Sequence, residues 1–126
     1  LVYGGSRSGL MGLLAQSALD AGGTVTGVEP QFFIQQELQH DGLTELIVTR
    51  DMAERKTKMI ELGDAFIAFP GGTGTLEEIA EVMSRLSLGQ LDAPCILYDL
   101  RRSSCPAPGQ LLPMPDRCLH LLQDRL

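Results

Sequence analysis

The stretch FPGGTGTLEE, residues 69–78, places three glycines and two threonines ahead of a pair of glutamates. A strand pattern precedes it and a helix pattern follows. The backbone N–H groups in the first turn of a helix have no acceptor within the helix, and the helix dipole favours negative charge there. Glycines let a ligand approach the backbone closely, and threonine hydroxyls add donors. The turn is therefore a candidate phosphate site, with the glutamates as candidate acid–base groups.

Familiar phosphate loops do not fit this spacing. A Walker A loop needs G-x-x-x-x-G-K-[ST], and neither Lys56 nor Lys58 follows a glycine. A dinucleotide fingerprint needs G-x-G-x-x-G, and Glu77 stands where its third glycine belongs. A structural alternative is a capping box, in which Thr75 and Glu78 bind the unpaired amides at the helix start. The turn alone leaves phosphate binding, catalysis by Glu78 and simple capping open.

A second candidate is an arginine on the helix pattern before this strand. Residues spaced i, i+3, i+7 and i+10 share one face of that helix, and they are Met52, Arg55, Met59 and Leu62. An arginine within an apolar stripe needs an anionic partner if it is buried. It could instead extend to solvent or pair with a structural carboxylate. The functional interpretation is that Arg55 points into a pocket beside the next strand, near Glu77 and Glu78.

The composition of the chain limits the classes of function that it could have. A length of 126 residues suits one domain, and 44% apolar with 21% charged residues is typical of a globular protein. The net charge of −6 argues against a nucleic-acid-binding face. No apolar run approaches the ~20 residues of a membrane span. The three cysteines form no C-x-x-C pair, which argues against a disulfide framework or a zinc site and favours a reducing compartment.

The elements that position these residues alternate along the chain. Strand patterns occupy residues 1–3, 24–28, 45–49, 65–69 and 95–98, with helix patterns at 10–21, 52–62 and 76–86 and a short helix between 30 and 39. This order predicts an α/β fold, a Rossmann-like doubly wound parallel sheet with helices on both faces. Ligands bind such sheets at the carboxyl ends of the strands, where both glycine-rich turns, 4–12 and 71–74, are expected.

The two ends of the chain differ from this pattern. LVYGG opens without an initiator Met or a signal peptide and resembles the end of a buried strand, so we expect the first strand–helix unit to be missing. Residues 1–99 are predicted to form one nucleotide-binding domain. Residues 100–126 carry four prolines between 101 and 115, which predicts a divergent Pro-rich loop followed by a short C-terminal helix.

MAERKTKM followed by DAFIAFPGGTGTLEEIAEV resembles the LONELY GUY (LOG) family, the cytokinin riboside 5′-monophosphate phosphoribohydrolases. Their signature is P-G-G-x-G-T-x-x-E, preceded by a Met-x-x-Arg-Lys element. VYGGSRSGLMG and GVEP match earlier segments of the family, and the resemblance covers roughly residues 1–99. It implies hydrolysis of the N-glycosidic bond of a nucleoside 5′-monophosphate, which releases free base and ribose 5-phosphate.

The resemblance also implies the site. Arg55 and Glu78 match the catalytic pair, with Glu78 stabilising positive charge on the sugar and activating water. Ser84 takes the place of a threonine. The residues that match substrate contacts are Glu37, Met52, Gly71, Gly72, Thr73, Gly74, Thr75, Glu77 and Ser84. The resemblance implies no cofactor and no metal.

Several differences from the family pattern affect which substrate is expected. Ala53 stands where the family usually has histidine, and SRLS at 84–87 replaces a T-W-x-Q pattern, so plain AMP is expected to serve as well as a cytokinin nucleotide. The expected partners are a nucleoside 5′-monophosphate and a second copy in a homodimer, without nucleic acid or membrane, in the cytoplasm. Two alternatives stay open, a non-catalytic nucleotide- or phosphate-binding module with Glu78 only as a cap, and a truncated, inactive family member.

Members of this family are sometimes labelled lysine decarboxylase, and the sequence offers little for that name. A pyridoxal enzyme needs a Schiff-base lysine within a far larger fold. Lys56 and Lys58 lie on a predicted helix with no supporting motif.

Overall fold

The structure is a computed structural model, which describes residues 1–34, 36 and 38–98. The chain divides into two compact units, Leu1–Gly63 and Asp64–Leu126. Within the described ranges, every helix is too short or too polar to cross a bilayer. The predicted loop and helix of residues 100–126 lie outside the described residues.

The first unit contains a three-stranded parallel sheet and three helices. Its elements are β1 Val2–Tyr3, α1 Gly9–Asp20, β2 Thr26–Pro30, α2 Gln31–Ile34, β3 Glu45–Thr49 and α3 Met52–Leu62. The central strand β2 pairs with β1 on one side and β3 on the other. The register aligns Tyr3 with Gly27 and Pro30 with Thr49, so the strand ends and the turns that follow them share one edge of the sheet.

The second unit contains β4 Phe66–Ala68, α4 Thr73–Ser87 and β5 Cys95–Leu97. The two strands pair in parallel, with Phe66 opposite Cys95 and Ala68 opposite Leu97. Parallel neighbours need a crossover, and α4 supplies it. The glycine-rich turn occupies the connection from β4 to α4.

The alternation of parallel strands and helices confirms the predicted α/β class. The strands β2 and β4 differ from the sequence-based prediction. β2 runs from Thr26 to Pro30 rather than from 24 to 28, which places Glu29 in the strand instead of at its end. The strand expected at residues 65–69 spans Phe66–Ala68, and it is not a fully buried strand, because Ile67 is 56% exposed. In the described part of the second unit the sheet has only two strands, and it leaves this side chain uncovered.

The core of the first unit lies between β1, β2 and α1. Tyr3, Ala15 and Val25 are buried together, with the half-buried Leu19 and Leu43 packed against them. The hydroxyl of Tyr3 donates to the carbonyl oxygen of Gly5 at 3.0 Å, which ties the turn after β1 to the core. Burial is the main cause that raises the pKa of Tyr3 to about 12.

The start of α3 is fixed by a local hydrogen-bond pattern. Asp51 is the N-cap, and its Oδ1 accepts from the amide of Glu54 at 2.8 Å. The Glu54 carboxylate accepts from the amide and the Nε of Arg50 at 2.8 and 3.0 Å. These bonds satisfy donors that a helix start leaves unpaired. They define the first turn of α3, which is followed directly by Arg55.

We expect Asp51→Ala to lower the free energy of unfolding by about 1 kcal/mol, because the substitution removes the N-cap acceptor. Urea unfolding followed by circular dichroism measures the change. The control is Asp92→Ala, which alters an exposed aspartate outside the helices and should change stability by less than about 0.5 kcal/mol. An equal, small effect of both substitutions would show that the cap does not hold α3.

Candidate functional site

Three polar or charged side chains are buried at the carboxyl edge of the first sheet. They are Glu29 near the end of β2, Thr49 at the end of β3 and Arg55 early in α3. Buried polar groups need partners inside the protein, because water cannot supply them there. A cluster of such groups at this edge of a parallel sheet is where a ligand site is expected.

Arg55 is held against the main chain of the sheet. Its side chain is 6% exposed, and its Nε donates to the carbonyl oxygen of Val28 at 2.8 Å. The guanidinium lies over Gly4, where a β-carbon would overlap its Nη2 atom. This burial rules out the interpretation that Arg55 extends into solvent. The predicted apolar stripe is wrong at Leu62, which is exposed at the last position of α3, whereas Ile60 is buried.

Glu29 is a buried carboxyl that the sequence analysis did not single out. It is 1% exposed, and its Oε2 has no hydrogen-bond partner within the described chain. Burial raises the pKa of this carboxyl, and the positive charge of Arg55 acts in the opposite direction. Its side chain packs against Gly5, a residue with φ of 85°. The available signal was the charged residue within G-V-E-P, since glutamate is almost never fully buried unless it is paired.

In the second unit, α4 begins earlier than predicted and overturns the capping-box interpretation. The N-cap is Gly72, and the first helical residue is Thr73. Thr75 is therefore inside the first turn, and Glu78 lies in the second turn, beyond the unpaired amides that a cap would bind. The Oγ1 of Thr75 faces Gly71 instead, where a β-carbon would overlap it. Glu78 is not the helix cap.

Gly74 has no structural need to be glycine, whereas Gly72 is the N-cap of α4, where glycine is favoured over alanine. No atom of the described chain lies within 4 Å of the β-carbon that Gly72 or Gly74 would carry. Neither of them is among the glycines with positive φ, and Gly72 has φ of −88°. Glycine in a helix costs about 1 kcal/mol relative to alanine. For Gly74, a ligand that approaches the backbone closely is the remaining physical reason.

An open cavity of about 230 Å³ borders the same turn within the second unit. One side is the glycine turn with Thr75, and the other sides are mostly apolar. The apolar lining comes from Phe69, Leu76, Ile79, Met83 and Tyr98. An apolar cavity with a few polar groups at one end is typical of small-molecule sites. This one suits a ligand with an anionic end and an apolar end.

The remaining predicted site residues are distributed as follows. Glu77 and the half-buried Glu78 lie on α4 just beyond the glycine turn. Ser84 is exposed about 16 Å further along the helix than Thr73, so it is not part of the cluster at the turn. Met52 is the half-buried first residue of α3. Glu37 lies outside the described residues.

Arg55 belongs to the first unit and Glu78 to the second, so their meeting over one substrate stays a prediction. Within the described residues, no group of three or more His, Cys, Asp or Glu side chains is arranged to hold a metal ion.

Residues 11–102 match the family model whose description is "Possible lysine decarboxylase". The chain belongs to this family. It is 59% identical over 100 residues to a cytokinin riboside 5′-monophosphate phosphoribohydrolase of Rhodococcoides fascians, a match that covers 79% of the chain and 50% of that relative. A protein of the same name from Arabidopsis thaliana is 47% identical over 100 residues, 79% of the chain and 44% of the relative.

These relatives confirm the resemblance to the LOG family that the glycine turn and the arginine element indicated. The chain spans about half the length of the curated relatives it matches.

For this LOG-family chain we expect Gly74→Ala to raise the free energy of unfolding by about 0.5–1 kcal/mol. Alanine favours the helix, and the new methyl group meets no protein atom. The matched substitution Gly4→Ala should lower the free energy of unfolding by about 1–3 kcal/mol, because its methyl group displaces Arg55. Urea unfolding of both variants measures the changes. Destabilisation by Gly74→Ala would mean that the turn needs this glycine for its own folding.

Proposed function

We propose that the chain hydrolyses the N-glycosidic bond of a nucleoside 5′-monophosphate, releasing free base and ribose 5-phosphate. The candidate substrates are the cytokinin riboside 5′-monophosphate named in its relatives and AMP. The observation that carries the proposal is Gly74, which faces open space in the first turn of α4 without any structural need for glycine. The buried Arg55 and the position of Glu78 support it.

The glycine turn would receive the 5′-phosphate. The amides of Thr73, Gly74 and Thr75 are in the first turn of α4, where a helix leaves its N–H groups without intrahelical acceptors. These amides and the positive end of the helix dipole favour an anion. Phosphate bound there would fix the sugar close to the second turn of the helix. The entropy lost in orienting the reacting bond would thus be lost on binding, before the chemical step.

Glu78 would act on the sugar. As the bond between the anomeric carbon and the base nitrogen breaks, its electron pair leaves with the base and positive charge develops on the sugar. A carboxylate stabilises that charge, as in glycosidases. The same group can take a proton from the water that adds to the anomeric carbon, and the departing base takes up a proton. The half-buried Glu78 is exposed enough to face a ligand.

Arg55 would supply fixed positive charge. A guanidinium binds phosphate or supports a departing anion. Its hydrogen bond to the Val28 carbonyl oxygen holds the side chain in place before any ligand binds. The predicted homodimer and the cytoplasmic location rest on the family resemblance alone and are part of the proposal.

We expect Glu78→Gln to reduce release of base by about 10²–10⁴-fold, since it removes the acid–base group but keeps its size. Ribose 5-phosphate binding should change little. Chromatography of reactions with AMP and with isopentenyladenosine monophosphate measures free base. The control Glu61→Gln alters an exposed carboxylate of α3 and should retain full activity. Failure of the folded chain to release base from either nucleotide would refute the proposed reaction.

Ligand binding without turnover would distinguish a non-catalytic binding module from the proposed enzyme. We expect ribose 5-phosphate at about 100 times its Kd to stabilise the fold by about 2.7 kcal/mol, whereas ribose without phosphate should not. Thermal unfolding with each compound measures this difference. Gly74→Ala should reduce the stabilisation, because a methyl group would stand where the phosphate approaches the backbone. Stabilisation with no release of base would favour the binding module.

A further inference from the structure

The two strands of the second unit leave one face of their sheet uncovered within the described residues. β4 and β5 pair in parallel, and the register places Ile67 directly opposite Ile96. Ile67 is 56% exposed and Ile96 is 42% exposed. Together the two side chains make up an apolar patch, the isoleucine face of the sheet.

The helix α4 lies on the other side of the same strands. Ala68 of β4 and Leu97 of β5 line the cavity beside the glycine turn together with side chains of α4. Successive side chains of a strand point to opposite faces of its sheet. Ile67 and Ile96 each precede one of these residues by one position, so they point away from α4.

The sequence and the type of sheet both indicate that the isoleucine face needs a cover. Parallel sheets occur almost only with both faces covered, and their strands are continuous apolar runs. The segments AFIAF at 65–69 and CIL at 95–97 are runs of this kind. Contact between apolar side chains and water is unfavourable, so a segment that covers this face would stabilise the second unit.

The chain itself has a segment that can reach this face. Asp64–Leu126 is one compact unit, and its described part ends at Tyr98, two residues after Ile96. Residues 99–126 therefore continue from the strand that carries half of the isoleucine face. Residues 99–115 could span about 50 Å when extended, which is far more than the ~5 Å between neighbouring strands.

The end of this segment has the spacing of an amphipathic helix. Leu119, Leu122 and Leu126 are spaced i, i+3 and i+7, so they share one face of the helix predicted over residues 116–126. The opposite face is polar and consists of Arg117, His120 and Asp124. A helix of this length would be about 16 Å long and about 10 Å wide, which is enough to cover two strands.

We propose that residues 116–126 form a helix that packs on the isoleucine face, with Leu119, Leu122 and Leu126 against Ile67 and Ile96. This contact gives the second unit a helix on each face of its sheet. It is independent of the proposed reaction, because none of these residues belongs to the proposed site.

A second copy of the chain is the competing occupant of the isoleucine face. A stable interface between two proteins usually involves about 20–30 residues on each side, whereas this face contributes only Ile67 and Ile96. A segment of the same unit needs a smaller contact, because the connecting chain holds it at a high effective concentration. The size of the face therefore favours the C-terminal segment.

The test is a double-mutant cycle in the full chain, measured by urea unfolding. Ile67→Thr keeps a β-branched side chain in the strand but removes apolar surface, and Leu122→Ala shortens the side chain that contacts it. We expect each substitution to lower the folding equilibrium constant about tenfold. The double variant should lose clearly less than the roughly hundredfold of two independent changes, because either substitution already removes the shared contact.

Leu88→Ala is the control for this cycle, since Leu88 is 67% exposed at the C-cap of α4. Its effect should add to that of Leu122→Ala. Additive effects of Ile67→Thr and Leu122→Ala would overturn the proposal, and so would a Leu122→Ala chain that is as stable as the wild type.

NMR of methyl groups in the wild-type chain gives a second readout if a variant does not fold. With isoleucine and leucine methyls labelled, we expect cross-relaxation between the isoleucine face and the leucines of residues 116–126, as for side chains in van der Waals contact. Absence of these signals would contradict the packing. A mixture of isoleucine-labelled and leucine-labelled copies reports contacts between chains, and signals in that sample would overturn the proposal by assigning the face to a second copy.

Discussion

The burial of a permanent positive charge constrains the whole carboxyl edge of the first sheet. Arginine cannot lose its proton, so the protein must provide an acceptor, room and a compensating charge. The Val28 carbonyl oxygen is the acceptor at 2.8 Å, Gly4 provides the room, and Glu29 provides negative charge when it is ionised. Gly4 follows β1, and Val28 and Glu29 lie in β2, so the parallel pairing of these two strands brings them to Arg55.

Glycine has two different functions in this chain. At Gly4 the absence of a side chain is required by the protein itself, because Arg55 occupies the space. At Gly74 the surroundings are open and the helix would be more stable with alanine. A residue that lowers stability without a structural reason indicates a functional constraint. The second kind of glycine therefore supports the proposal that the turn binds a ligand.

The sequence predicted most of the elements, and the differences have physical causes. β3 and α3 lie where the patterns placed them, since a short β-branched run and an apolar face between Asp51 and Gly63 leave few alternatives. α4 starts at Thr73 because the glycine backbone itself can enter the helix, whereas a side-chain cap at Thr75 was expected. Glu29 was missed because local spacing does not reveal which charged residue the tertiary structure buries.

Glu29 and Glu78 lie in different environments, and the difference decides which of them suits the proposed chemistry. A carboxylate that stabilises developing positive charge has to be ionised and has to face the sugar. Glu29 satisfies neither requirement well, because burial favours its neutral form and Gly5 lies in front of it. Glu78 is half-buried on the helix that begins at the glycine turn, so it is more exposed to solvent than Glu29. Environment rather than residue type therefore favours Glu78 over Glu29 for the proposed catalytic role.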